Sequence, residues 1–169
     1  MAQLVQRTAE LTDLKNIWNL MREVAAEVPF DLANDKDQQS ILSELVRCCT
    51  SGISLVAVGP DKSIVGAVMA RRDDLEWCIA NNNVAHIIYA AVAPSAKGNG
   101  VLKGLVTGVQ DGKVPVYASV KSGEQLGLAN QLKELGFAHE LTAVNGWGDL
   151  YRWQPPAVET AAAAEIRVR

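Results

Sequence analysis

The sequence predicts a mixed α/β fold, one central sheet with helices on both faces. Three observations predict it. Apolar, β-branched segments alternate along the chain with segments whose apolar residues recur every three or four positions. Residues 53–58 and 64–72 are two such apolar runs, joined by Gly59, Pro60, Asp61 and Lys62, which have the turn chemistry of an antiparallel hairpin. Residues 84–92 are apolar almost throughout, as a central strand covered on both faces must be.

The chain has 169 residues, 49 % apolar and 21 % charged, which suits one globular domain with a core that needs no staples. The expected division is a domain over residues 1–156 and an alanine-rich tail over 157–169, after Pro155 and Pro156. A net charge of −3 argues against broad nucleic-acid binding, which needs a basic face. No apolar run approaches the roughly 20 residues of a membrane helix. No basic stretch leads into an apolar one at the start, so no secretory signal is expected. Three cysteines suggest no disulfide framework, and the expected compartment is the cytoplasm.

In order, Leu4 and Val5 mark a short strand over residues 3–7. Thr12 and Asp13 look like a helix start. Leu14, Ile17, Trp18, Met21, Val24, Ala25 and Val28 then form one apolar stripe, stopped by Pro29. The polar stretch 30–39 reads as a loop, with Asp37 or Ser40 capping a second helix marked by Ile41, Leu42, Leu45 and Val46. After the hairpin and the central strand, Pro94 leads into a glycine-bearing loop. Val101, Leu102, Leu105, Val106 and Val109 then predict a short helix. Residues 114–120 read as a strand and 123–135 as a helix closed by Gly136, with Phe137 folding back on its end. Residues 138–144 and 150–153 read as two last strands flanking Asn145, Gly146, Trp147 and Gly148.

The strongest chemical signal is the unit Val92-Ala93-Pro94 followed by Lys97-Gly98-Asn99-Gly100-Val101-Leu102. A strand runs into a glycine loop and then into a helix start. Such a loop gathers backbone N–H groups at the positive end of a helix, which suits a pyrophosphate. A plain strand-to-helix turn that needs glycine for its geometry gives the same pattern. No Gly-Lys-Ser/Thr follows, so it is not a Walker loop, and the three-glycine spacing of a Rossmann fingerprint is absent.

This unit, the Gly136-Phe137 helix end and the element order over residues 3–154 resemble the GCN5-related N-acetyltransferase (GNAT) family. In that family a Val-x-Pro strand precedes a Gln/Arg-x-x-Gly-x-Gly/Ala loop that holds the pyrophosphate of acetyl-coenzyme A. Lys97 stands at the Gln/Arg position, Gly100 at the fixed glycine, and Leu102 at the final small position. The resemblance implies a sheet splayed around the Val-x-Pro strand. The pantetheine arm would pair with Ala90, Ala91 and Val92, and the pyrophosphate would lie on Lys97, Gly98, Asn99, Gly100, Val101 and Leu102. The implied reaction is direct attack of an amine on the acetyl-coenzyme A thioester, with no metal. His86 occupies the position where the family often has a glutamate base, and imidazole suits that role near neutral pH. A histidine packed in a central strand is the equal alternative. The family's tyrosine, which protonates the leaving thiolate, is Leu132 here. Tyr117 and Tyr89 are candidates by element alone.

The acceptor pocket in the family draws on the loop between the first two helices, which places Phe30 and Asp31 among the substrate contacts, with Trp147 stacking from the last hairpin. The carboxylates of that loop would steer a cationic amine, although a solvated loop is the favoured reading of them, and a tryptophan placed like Trp147 more often anchors a turn by packing. Cys48, Cys49 and Cys78, with His86 and His139, have no zinc-ligand spacing. The expected partner is a small-molecule or peptide amine, with no nucleic acid and no membrane, and the last two strands offer an edge for a homodimer. Two functions stand: an acetyl-coenzyme A-dependent N-acyltransferase, or a catalytically silent module of the same fold that binds coenzyme A or a protein. A nucleotide-binding protein using the same loop is a weaker third.

Overall fold

The structure is a computed structural model and describes residues 4–25, 32, 34–72, 83–122, 127–144, 146 and 148–156. Its elements, in order, are β1 (Val5–Thr8), a 3-10 turn (Leu11–Asp13), α1 (Leu14–Glu23), α2 (Asp35–Thr50), β2 (Leu55–Val58), β3 (Ile64–Arg71), β4 (Ala85–Val92), a 3-10 turn (Pro94–Ala96), α3 (Val101–Gln110), β5 (Val116–Lys121), α4 (Leu128–Glu134), β6 (Ala138–Thr142) and β7 (Gly148–Trp153). The strands form one sheet in the order β1-β2-β3-β4-β5-β7-β6. Every neighbouring pair is antiparallel except β4 and β5, whose parallel pairing follows from the crossover through α3.

Apolar side chains fill both faces of this sheet. On one, Ile17, Leu20 and Met21 of α1 and Ile41, Leu45 and Cys48 of α2 bury against Val56, Ala67 and Met69. On the other, Val101, Leu105 and Val106 of α3 and Leu132 of α4 bury against Val68, Ala85, Ile87, Val116 and Ala118. The expected mixed sheet with helices on both faces is therefore present. Gly66 brings α3 close to β3: a Cβ there would lie 2.5 Å from Val101 Cγ1. No helix of the described residues is long and apolar enough to cross a membrane.

Three helix boundaries differ from the sequence reading. α1 ends at Glu23, because Val24 is buried in the core and its backbone leaves the helix at φ −100°, ψ 18°. Val28, the last residue of the expected stripe, and Pro29, its expected stop, lie outside the described residues. α2 begins at Asp35, earlier than expected. Its cap is Asn34, whose Oδ1 accepts from Lys36 N at 3.0 Å, and not Asp37 or Ser40. Asp35 and Asp37 therefore lie in the first helical turn, where negative charge complements the helix dipole. α4 begins at Leu128, since Gly127 has φ 69° and cannot be helical. The other end matches the expected closure. Gly136 takes φ 85°, Gly136 N donates to Lys133 O and Phe137 N to Leu132 O, both at 3.0 Å, and Phe137 is buried with Leu132.

Polar contacts fix the helices to the sheet. Arg7 forks onto Asp13, with Nη1–Oδ2 at 2.6 Å and Nη2–Oδ1 at 2.7 Å, joining β1 to the start of α1. Ser54 Oγ, fully buried, accepts from Ala70 N at 2.9 Å and lies 2.8 Å from Cys48 O, tying the end of α2 to β3. Cys48 and Cys49 are both buried, although neighbours on a helix point about 100° apart. Burial, and then the charge of Asp13, push the Cys49 thiol up, which favours its protonated form.

Candidate functional site

The site begins with a change in strand pairing. β4 pairs with β3 along its length, but with β5 only at Ala85, His86 and Ile87. Beyond that, β5 continues with β7 on its other side as far as Lys121. No residue of β4 beyond Ile87 pairs with β5, and the sheet parts there, with the β5-side edge of Ala90, Ala91 and Val92 open. A bulge sits at the same place. Met69 pairs with Tyr89 and Ala70 with Ile87, so Ile88 is an extra residue in β4. Ala85 and Ile87 face the α3/α4 core before the bulge, and Ala90 and Val92 face it afterwards. The extra residue thus resets which side chains β4 offers to the gap.

β4 leads through the Pro94–Ala96 turn into the glycine loop. Gly98 and Gly100 take φ 76° and 72°, the left-handed region that glycine enters at no steric penalty. A Cβ on either would meet nothing within 4 Å, so the loop backbone faces open space. α3 follows at once, and the N–H groups of its first turn have no helical partners. Between this loop, the open edge of β4 and α4 lies a cleft of about 350 Å³.

The cleft gathers Ala90, Ala91, Val92, Lys97, Gly98, Gly100, Val101 and Leu102, eight of the nine residues expected to bind the cofactor. Asn99 is exposed between the two glycines and is not among its lining residues. Its charged lining residues are Lys97 and Lys103. Two cations and a helix N-terminus suit a pyrophosphate. The alanine, valine and leucine walls, with an unpaired strand edge, suit an amide-bearing arm. The residues present therefore fit coenzyme A.

Sequence reasoning missed Val24, Ala96, Lys103, Leu128 and Gln131. Leu128 and Gln131 stand three positions apart on α4, the spacing of one helix face. The next position, Leu132, is only 2 % exposed and packs in the core beneath. Only the register of α4 could have revealed that the polar residue on the cleft wall precedes the expected tyrosine position.

His86 is fully buried, at 0 % exposure, and is not among the residues lining the cleft. It stands in register between Arg71 on β3 and Tyr117 on β5, at the root of the opening. Tyr89 and Tyr117 are half-buried and do not line the cleft either. Phe30, Asp31 and Trp147, the expected substrate contacts, lie outside the described residues. Among the described residues no three His, Cys, Asp or Glu side chains come together to hold a metal.

The sequence matches no protein-family model and no curated protein. The structure is similar to several solved enzymes. The diaminobutyrate acetyltransferase of Paenibacillus lautus, solved with its substrate L-2,4-diaminobutyric acid and coenzyme A, is 18 % identical over 92 % of this chain and 96 % of that one, with TM-score 0.63. A GCN5-related N-acetyltransferase from Kribbella flavida is 19 % identical over 90 % and 98 %, with TM-score 0.66. The PaiA N-acetyltransferase of Thermoplasma acidophilum, solved with coenzyme A, is 17 % identical over 91 % and 99 %, with TM-score 0.63. The chain has the fold these proteins share.

Proposed function

We propose that this chain, which has the fold of the GCN5-related N-acetyltransferases, moves an acetyl group from acetyl-coenzyme A to the amine of a small molecule or peptide. The observation that carries this reading is the cleft at the parting of β4 and β5, with Lys97, Lys103 and the start of α3 at one end. Solved neighbours of the same fold include acetyltransferases holding coenzyme A, which supports the same reading.

In this reading the N–H groups at Gly98, Gly100, Val101 and Leu102 bind the pyrophosphate, with Asn99 presented beside it and Lys97 and Lys103 balancing its charge. The open edge at Ala90, Ala91 and Val92 hydrogen-bonds the amides of the arm, as a strand would. The donor supplies an activated thioester: the amine nitrogen bonds to the acetyl carbon as the carbon–sulfur bond breaks. The amine must arrive without its proton, and His86 is assigned that proton. Leu132 has no proton to give, so the departing thiolate takes none from that position. Gln131, on the wall, has an amide able to donate a hydrogen bond. Phe30, Asp31 and Trp147 remain assigned to the acceptor side. The domain is taken as residues 1–156, in the cytoplasm, with a homodimer through the last strands.

Calorimetric titration with acetyl-coenzyme A, with ATP and NAD as controls, tests the site. Micromolar binding of acetyl-coenzyme A alone supports it, and failure to bind overturns it. Thiol release with a panel of amines tests the activity. The second reading, a silent binding module, is favoured by Leu102 on the cleft wall where the family has a small residue. Tight binding with release never above background would establish that alternative.

A further inference from the structure

A polar row crosses the sheet face that carries α1 and α2, and the donor cleft makes no use of it. Arg71 on β3 pairs in register with His86 on β4, His86 with Tyr117 on β5, and Tyr117 with Arg152 on β7. Residues directly opposite on neighbouring strands share a face. The flanking residues agree, because Ala70, Val116, Ala118 and Tyr151 all belong to the core on the other face. The row lies where β4 and β5 are still joined, at the base of the opening.

Its two arginines differ in commitment. Arg71 Nε lies 3.1 Å from Glu44 Oε1 of α2, and both side chains are largely shielded. Arg152 is about one-third exposed, at 32 % for its side chain, and lies over the Tyr117 ring, with Cζ 5.6 Å from the centroid. With the Gln154 amide turned so that its oxygen faces Arg152, that oxygen accepts from Nε at 2.7 Å and also from Nη2. These contacts fix the plane of the guanidinium through its Nε edge. On the terminal edge, Nη1 meets Glu140 Oε1 at 3.4 Å, beyond the roughly 2.7–2.9 Å of a strong charge-assisted bond. A fork oriented from behind, with its outer edge loosely held, is suited to a bidentate carboxylate.

We infer that Arg152, seated on Tyr117, binds the acid group of the acceptor, so that the acceptor is a free amino acid and not a simple amine. This rests on the N-acetyltransferase reading. Neighbouring strands lie about 4.8 Å apart. A carboxylate above Tyr117 is thus about one strand spacing from the His86 column, a separation that short amino acids span between acid and amine. Glu140 yields to the incoming acid, and Arg152 holds the acceptor while the amine is directed to β4.

The test compares amino acids with their own amides, which keep the amine and lose the charge. The full chain should acetylate acids with kcat/KM about tenfold or more above the matching amides. Arg152→Gln should bring that ratio to about one while leaving the acetyl-coenzyme A Kd unchanged. Arg152→Lys should fall between, as charge without the fork. Titrating coenzyme A-loaded protein with N-acetyl amino acids and their amides gives the same comparison without turnover. Equal handling of acids and amides, or a ratio that survives Arg152→Gln, overturns the inference. So does failure of both product series to bind a protein that holds coenzyme A. Failure to bind acetyl-coenzyme A at all sinks the parent reading instead, and the two failures are separable.

Discussion

Ile87 pairs with Ala118, and no residue of β4 beyond it pairs with β5. This end of the ladder coincides with the extra residue Ile88. Two strands that separate while each remains paired on its other side leave a gap without leaving either strand at a sheet edge. The neighbours that hold them, β3 and β7, run antiparallel to them, so the opening weakens one short parallel ladder and nothing else. The cleft is therefore built from ordinary pairing stopped early.

Gly100 should be the most sensitive position of the loop. Its φ of 72° disfavours any side chain by about 1–2 kcal/mol, a Cβ there would meet nothing within 4 Å, and the residue lines the cleft. Gly100→Ala should lower stability by about 1 kcal/mol and coenzyme A affinity at least about tenfold. Gly127→Ala is the control, with φ 69°, equally open surroundings and a position outside the cleft lining. It should show the stability loss alone. Calorimetry and thermal melts on both variants measure the difference, and unchanged affinity in Gly100→Ala would remove the loop from the binding site.

Lys97 and Lys103 should contribute through charge, and so depend on salt. The double variant Lys97→Ala/Lys103→Ala should bind coenzyme A about tenfold more weakly at low ionic strength. The gap between variant and parent should narrow between about 0.05 and 0.5 M salt, as the screening length shrinks to a few ångströms. A gap independent of salt would show that the lysines act through loop shape and not through the phosphates.

Much of this was legible in the sequence, for physical reasons. Periods of two and of about 3.6 exposed the strands and helices, Gly136 with Phe137 marked a helix end, and Val92 to Leu102 carried its own strand–loop–helix punctuation. What escaped notice depends on three-dimensional register. Polar residues 34–40 look alike as a loop or as a first helical turn until Asn34 is seen to cap it. Gln131 and Leu132 are neighbours in sequence, and only packing decides which meets the cleft and which the core. The row from Arg71 to Arg152 spans 82 positions and has no trace in any local pattern, because it is assembled by strand pairing alone.

Acid should loosen the junction of β1 and α1. The Arg7 guanidinium, by its hydrogen bonds, holds the Asp13 carboxyl below the usual carboxylate range, against the opposing effect of burial. A carboxylate whose pKa is lowered on folding stabilises the fold above its unfolded pKa, near 4, and that contribution is lost as pH falls through the folded value. Arg7 is 42 % exposed, so solvent screening limits the pair to about 1 kcal/mol. Asp13→Asn should lower the melting temperature by a few degrees at pH 7, and the difference from the parent should shrink on going from about pH 5 to pH 3. A constant difference across that range would assign the loss to packing.

The role of His86 is settled by pH dependence more than by loss of rate. A fully buried side chain in the middle of the sheet will affect any variant through packing, so a fall in kcat after His86→Ala says little alone. If His86 takes the amine's proton, His86→Ala should change the shape of the pH–rate profile as well as its height. A limb of the parent's profile should move or disappear. His86→Gln, which better fills the space and cannot take a proton, should share that altered profile while recovering stability. Were the two variants to differ from the parent only by a constant factor at every pH, His86 would be a packed residue, and the proton would leave the amine by way of solvent.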